Sequence, residues 1–174
     1  PQEWGKKYIL QYESYLENYK EIAQPYGGSV ERSRLEDHPS AYEFYKGLSF
    51  AIEFNASRGH VYALEDVKNV ARPKAAAICL TCKTSALPYL VEEYGAEGFY
   101  KADFKKTAEE AAYPISCANC HNPEDMTRRI TNPALKVALS EGGKDLEELS
   151  QEEMRMLACA QCHVVQHEID DPNE

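Results

Sequence analysis

The chain has no apolar run long enough to cross a bilayer, no sustained alternation of apolar and polar residues, and few large aliphatic clusters. The first absence excludes an evident membrane-spanning helix and the second argues against a fold built on sheets. The third is unexpected in 174 residues, a length that ordinarily makes one domain with its own core. Something other than hydrocarbon side chains is expected to fill the interior. Basic charge is also short, since 19 Lys and Arg face 29 Asp and Glu for a net charge of -10. That balance argues against nucleic acid or an anionic membrane surface as a partner and suits a basic redox partner. No cysteine stands alone either.

All six cysteines fall in three short motifs, Cys79-Leu80-Thr81-Cys82-Lys83, Cys117-Ala118-Asn119-Cys120-His121 and Cys159-Ala160-Gln161-Cys162-His163. In a Cys-x-x-Cys-His segment the two sulfurs form thioethers to the porphyrin vinyl groups and the histidine binds the iron. Residues at i, i+3 and i+4 share a face of a helical turn, so all three can address one flat ring. Competing readings fit less well. Structural zinc needs pairs of Cys-x-x-Cys, and three leave one unmatched. A disulfide framework belongs to smaller, cysteine-dense chains, and a thioredoxin-like motif belongs in a strand-helix-strand unit that is not evident here. Three covalently bound c-type haems are therefore expected, and three macrocycles would supply the missing apolar interior. Such haem is attached outside the cytoplasm, and Pro1 without a methionine suits a processed chain, so the periplasm is the expected location.

The pattern is helical with Pro and Gly punctuation, predicting a mainly α multihaem cytochrome with little or no sheet, organised as a single domain over 1–174. Tyr8, Tyr12, Tyr15, Tyr19 and Ile22 recur at spacings of four and three, predicting a helix packed by an aromatic face and stopping near Pro25-Tyr26-Gly27-Gly28. Further helices are expected over 40–54, with Asp37 or Ser40 as cap, and over 85–94, ending before Gly95. Ser150-Gln151-Glu152-Glu153 is a capping box opening the helix of the third motif. Thr107-Ala108-Glu109-Glu110 is a weaker start signal, soon closed by Pro114. The intervals from Cys79 to Cys117 and from Cys117 to Cys159 are 38 and 42 residues, but the intervening sequences do not match. These are repeated haem modules and not a solenoid.

His121 and His163 are iron ligands by motif, leaving His38, His60 and His167 for other positions. His60 follows Gly59, which would permit close approach of backbone to a porphyrin; it reads either as a ligand or as a hydrogen-bonded histidine. His38, before Pro39 in a charged loop, reads as solvated. His167 lies four residues after His163 and cannot reach the opposite face of the same haem, so it serves another haem or an exposed tail. Lys83 is the deviation. An amine binds iron only when deprotonated, and a free lysine keeps its proton to about pH 10.4; iron favours the neutral ligand as other metals do. An iron held by Lys83 with no side chain opposite keeps an open coordination position. Alternatively, Lys83 merely follows the pair and another side chain binds the iron.

Lys83 in Cys-x-x-Cys-Lys, followed by two Cys-x-x-Cys-His motifs at these intervals, resembles the amino-terminal part of the ammonia-forming cytochrome c nitrite reductases. The resemblance extends over Trp4-Gly5, Gln11 to Tyr15, Asn55 to Leu64, Pro114 to His121, Arg129-Ile130 with Pro133, and Met156 to Val164. It implies that the Lys83 haem is catalytic, that Arg72 in Asn69-Val70-Ala71-Arg72-Pro73 is the active-site arginine holding the nitrogen oxyanion, and that His60 pairs with His163 as distal ligand of the third haem. Pro73 biases Arg72 away from helical geometry, consistent with a side chain aimed from a loop. Without the resemblance Arg72 would read as a solvated loop residue, and Arg58 beside His60 reads as structural. The implied reaction is six-electron reduction of nitrite to ammonium, with a redox partner cytochrome or quinol-linked donor supplying electrons, and a periplasmic chain associated with a membrane-anchored partner is expected.

Family members continue beyond the third motif with two more haems, an active-site histidine, the distal ligand of the second haem and long dimer helices. Where the family has Glu-Tyr after that motif, giving a calcium ligand and the active-site tyrosine, this chain has Val165 and Gln166, which counts against calcium there. Two readings follow. In one the chain is the catalytic-haem portion of a nitrite reductase, truncated or completed by a further chain. In the other it is a small trihaem electron-transfer protein of the same ancestry without efficient turnover.

Overall fold

Frequent Pro, Gly and side-chain caps cut the chain into short helices. In a computed structural model, which describes residues 1–24, 27–74 and 76–163, the first are α1 (Gln2–Gly5) and α2 (Ile9–Glu17). The strands β1 (Ala23–Gln24) and β2 (Gly27–Gly28) pair antiparallel, with Ala23 opposite Gly28. They are the whole of the sheet among the described residues, so the chain is mainly α as expected. After α3 (Arg34–Asp37), α4 (Ser40–Phe44) and two 3-10 turns, Ser49–Ala51 and His60–Tyr62, come α5 (Ala63–Asn69) and a third 3-10 turn, Ala77–Leu80. The remainder comprises α6 (Leu87–Tyr94), α7 (Ala96–Lys101), α8 (Phe104–Glu110), α9 (Cys117–Cys120), α10 (Pro133–Glu141) and α11 (Gln151–His163).

Several boundaries differ from the sequence expectation, each for a local reason. The aromatic helix stops at Glu17, because the Asn18 side chain donates to the carbonyls of Ser14 (3.1 Å) and Tyr15 (2.9 Å) and closes the last turn. It buries no residue, and Tyr19 and Ile22 lie beyond it and exposed. Tyr15, Tyr19 and Tyr62 instead meet edge-on, with centroids 5.9 and 6.0 Å apart. The expected helix over 40–54 breaks after Phe44, where Gly47 at φ +89° turns the chain before the Ser49–Ala51 turn; neither Asp37 nor Ser40 caps it. Pro25 and Tyr26 lie outside the described residues. The Thr107 start signal fails because Asp103 caps α8, accepting from the Lys106 N–H at 2.8 Å. Thr107 is buried inside that helix and donates to the Asp103 carbonyl at 2.9 Å.

Two expectations hold closely. Helix α6 ends at Gly95. The capping box of α11 has both arms, Ser150 N–H to Glu153 Oε2 at 2.9 Å and Glu153 N–H to Ser150 Oγ at 3.2 Å. The main apolar cluster gathers Leu64, Leu80, Leu87, Leu90 and Phe99 from α5, the third 3-10 turn, α6 and α7, with Ala108 from α8 beside them. Each of those larger side chains contributes about 1.5–3 kcal/mol on burial. Leu80 lies between the two cysteines of the first motif and is wholly buried. The core is thus a mount for that motif.

Candidate active site

The first motif leaves its 3-10 turn through Thr81, and the Lys83 N–H closes onto the Leu80 carbonyl at 2.9 Å. Thr84 then turns the chain: its hydroxyl donates to the Tyr113 carbonyl at 2.6 Å and accepts from the Ala86 N–H at 3.0 Å. These bonds aim Lys83 away from the core into a cavity of about 400 Å³. Arg72, Lys83, Cys82, His60, Cys162 and His163 all line it. The first and third motifs therefore open onto one space, although their cysteines are far apart in sequence.

Arg72 reaches that space from the loop after α5. The loop is pinned by Glu53, whose carboxylate accepts the Ala71 N–H at 2.5 Å, and by Lys74, whose ammonium donates to the Val70 carbonyl. The Arg72 guanidinium lies over the Phe50 ring, 4.5 Å from its centroid, while its Nε is buried with no hydrogen-bond partner. A buried cationic donor left unpaired is costly without an acceptor. An oxyanion would provide one. Arg58, by contrast, is occupied, with Nε 2.8 Å from Asp66 Oδ1, a second bond to Glu65 at 2.7 Å and its guanidinium over Tyr62. It braces the His60 turn onto α5, in keeping with the structural role expected of it.

His60 enters the cavity from Gly59, whose φ of +103° with ψ 178° is a conformation reserved for glycine. A Cβ there would meet no protein atom, so the glycine serves the backbone path and not close packing. The His60 and His163 rings face each other with centroids 6.2 Å apart and planes 57° apart. Partial burial first, then the positive charges of His163 and Lys83, push the His60 imidazole below its ordinary pKa and favour the neutral form that binds metal. His163 ends α11, which carries Cys159, Cys162 and His163 within little more than one turn, on one face. His38 is exposed. His167, Val165 and Gln166 lie outside the described residues.

His121 points elsewhere. It follows α9, and its Nδ1 donates to the Met126 carbonyl at 2.8 Å, leaving Nε2 as the free ring nitrogen. Met126 is the one non-glycine residue at positive φ (66°) among the described residues. The turn from Asn122 to Thr127 holds it there, with Asn122 N–H on Thr127 O at 2.8 Å and Met126 N–H on Asn122 O at 3.0 Å.

All six cysteines are unpaired. The nearby Cys162 lowers the Cys82 thiol, helped by Lys83, and Cys82 in turn raises that of Cys162; as thioethers neither would titrate. The sequence reading missed what lies between the cysteines. The second intervening residue of each motif, Thr81, Asn119 and Gln161, is polar yet only 3% exposed. A polar side chain at the same place in three motifs was the available signal. Facing imidazoles, a histidine with its second nitrogen already bound, and six unbridged sulfurs fit haem.

The family model for cytochrome c552 matches residues 1–172. The chain belongs to the cytochrome c552 family. Cytochrome c-552 of Bacteroides fragilis is 33% identical over 171 residues, covering 92% of this chain and 35% of that protein. Cytochrome c-552 of Parabacteroides distasonis is 37% identical over 148 residues, covering 80% and 30%. Among solved structures, the catalytic subunit of the cytochrome c nitrite reductase of Desulfovibrio desulfuricans, a protein with two calcium sites, superposes with a TM-score of 0.82 at 31% identity, covering 94% of this chain and 39% of that one. The chain thus spans about a third of the length of the curated relatives it matches. Membership of this cytochrome family makes covalently attached c-type haem its cofactor. No helix among the described residues is long and apolar enough to cross a membrane.

Proposed function

We propose that this chain is the catalytic-haem portion of an ammonia-forming cytochrome c nitrite reductase, exported to the periplasm, with one haem at each of its three motifs. The carrying observation is the buried, unpartnered Arg72 Nε in the cavity that Lys83 also lines. When bound, the haem of the first motif supplies an iron that takes nitrite and the electrons that reduce it. Lys83 would hold that iron through a neutral Nζ. Arg72 would donate from its guanidinium to the nitrite oxygens, neutralising the anion and favouring N–O cleavage. Phe50 and the Glu53-pinned loop keep the guanidinium in place before substrate arrives. His60 and His163, which line the same cavity, would hold the third haem, which would pass electrons on. Electrons come from a cytochrome or quinol-linked donor, a further chain completes the pocket, and with Val165 and Gln166 at the family's ligand position calcium is not proposed there.

Purified haem-loaded protein with a reduced viologen donor is expected to perturb its high-spin haem on nitrite addition, and to form ammonium once the chain that completes the pocket is added. Replacing Arg72 by alanine should lower the rate about 10²–10³-fold, the ordinary effect of removing one donor to a developing oxyanion. Equal nitrite binding and turnover in that variant would refute the assignment. Nitrite binding without ammonium in this chain alone would mean an incomplete pocket or an electron carrier, and continued absence of ammonium with the pocket completed would favour the electron-carrier reading.

A further inference from the structure

We propose that Gln161 is a positioning residue: its buried amide locks the third haem-attachment motif against the second and sets the reduction potentials of the two histidine-ligated haems. The inference rests on the reading of haem at those motifs. Gln161 stands between Cys159 and Cys162, and its side chain leaves α11 for the neighbouring motif. Its Oε1 accepts from the Thr131 N–H (2.8 Å), the Thr131 hydroxyl (3.0 Å) and the Asn132 N–H (3.3 Å). Its Nε2 donates to the carbonyls of Asn119 and Ala158, each at 3.0 Å, and lies 4.0 Å from Cys120 Sγ. Its own carbonyl accepts from Asn132 Nδ2 at 2.7 Å.

The network continues to the first motif. Asn119, between Cys117 and Cys120, accepts from the Ser116 N–H at 2.9 Å and donates to the Thr84 carbonyl at 2.9 Å, one residue past Lys83. Every amide group in this chain of contacts is paired inside the protein. A buried polar network so satisfied specifies one arrangement, whereas a half-satisfied one does not. Only a primary amide of this length offers acceptor and donor together at that reach.

The consequence concerns the haems because the pinned residue lies between the sulfurs. A Cys-x-x-Cys segment whose second intervening residue cannot rotate presents both sulfurs in one direction, so haems bound at the two motifs would be held in one fixed relation with water kept out. Ferric haem carries the additional positive charge, which water stabilises and burial disfavours. Loosening the contact should admit water and lower both potentials. The Nε2 approach to Cys120 persists in a thioether, whose sulfur remains a weak acceptor.

Spectroelectrochemical titration of the haem-loaded protein tests this. Gln161→Leu, close in volume but without polar groups, is expected to shift the two histidine-ligated haems toward the ferric form about tenfold at the unsubstituted midpoint, which is about 59 mV for a one-electron couple. The haem of the first motif, joined to Gln161 only through its backbone carbonyl and through Asn119, should shift less. Gln161→Glu keeps the acceptor side but sets a carboxylate beside the ferric charge and against the Asn119 and Ala158 carbonyls, so it should lower the two potentials at least as far. If Gln161→Leu fails to mature, Thr131→Val, which removes one hydroxyl donor, should still lower them measurably. Unchanged potentials in mature variants that carry three haems would overturn the positioning role, even if their melting temperatures fall. Fewer than three haems in the unsubstituted protein, counted as the pyridine complex, would overturn the haem reading itself and this inference with it.

Discussion

Replacing His60 by alanine should leave the haem of the third motif with one axial imidazole instead of two. The expectation follows from a length. Two imidazoles on opposite sides of one metal ion each stand about 2.0 Å from it through nitrogen, and a ring centroid lies about 1.1 Å behind that nitrogen, which gives about 6.2 Å between centroids. The His60 and His163 rings are 6.2 Å apart. The backbone at His60 is set by Gly59 and braced by Arg58 on Asp66, so loss of the imidazole should disturb little else. In the haem-loaded protein one haem in three should pass from low to high spin, adding one haem's share to the high-spin signal in electron paramagnetic resonance and magnetic circular dichroism. Added imidazole should reverse the change, because the vacated space is that of its ring. An unaltered low-spin content would refute the pairing and return His60 to a hydrogen-bonding role.

Further outcomes are expected elsewhere. Ser150→Ala removes one arm of the α11 capping box and should cost about 1 kcal/mol, read from chemical denaturation. Glu153 is held down to about 2 from an ordinary 4.5, first by the Ser150 backbone N–H and then by Lys144 and the Ser150 hydroxyl. Its contribution is therefore complete above the ordinary carboxylate range and lost as pH falls through about 2. Helicity measured between those limits should decline, and Glu153→Gln should flatten that decline; an identical acid profile in the variant would exclude Glu153. Phe99→Ala empties a fully buried site in the main cluster and should destabilise the protein by about 3–5 kcal/mol in denaturant titrations. A loss under about 1 kcal/mol would mean that the cluster does not carry the fold.

What could be read from sequence was short in range. The haem motifs, the Lys83 deviation, the Ser150 box and the Gly95 stop each lie within a few residues, and their chemistry is local. The long helices were over-read because a periodic stripe does not reveal a competing side chain: Asn18 takes the carbonyls that would have continued α2. At α8 a stronger cap, Asp103, stood four residues before the signal chosen. The approach of His60 to His163 joins residues distant in the chain, and only the family resemblance pointed to it. Arg72 was likewise a loop arginine until burial left its Nε without a partner. Asn119 and Gln161 were invisible as core residues because amides ordinarily face water, and their inward direction depends on Thr131, Asn132 and Thr84 arriving from elsewhere.

Leu80 gives the first motif a dynamic character of its own. With Leu80 in the main cluster between Cys79 and Cys82, that motif cannot open without opening the cluster, so the amides of Leu80 and Thr81 should exchange with deuterium only through global unfolding. The third motif sits on a helix whose Met156 and Cys159 are exposed, so its fixity rests on the Gln161 amide instead. Lys83 is thus held by apolar packing, and His163 by buried hydrogen bonds.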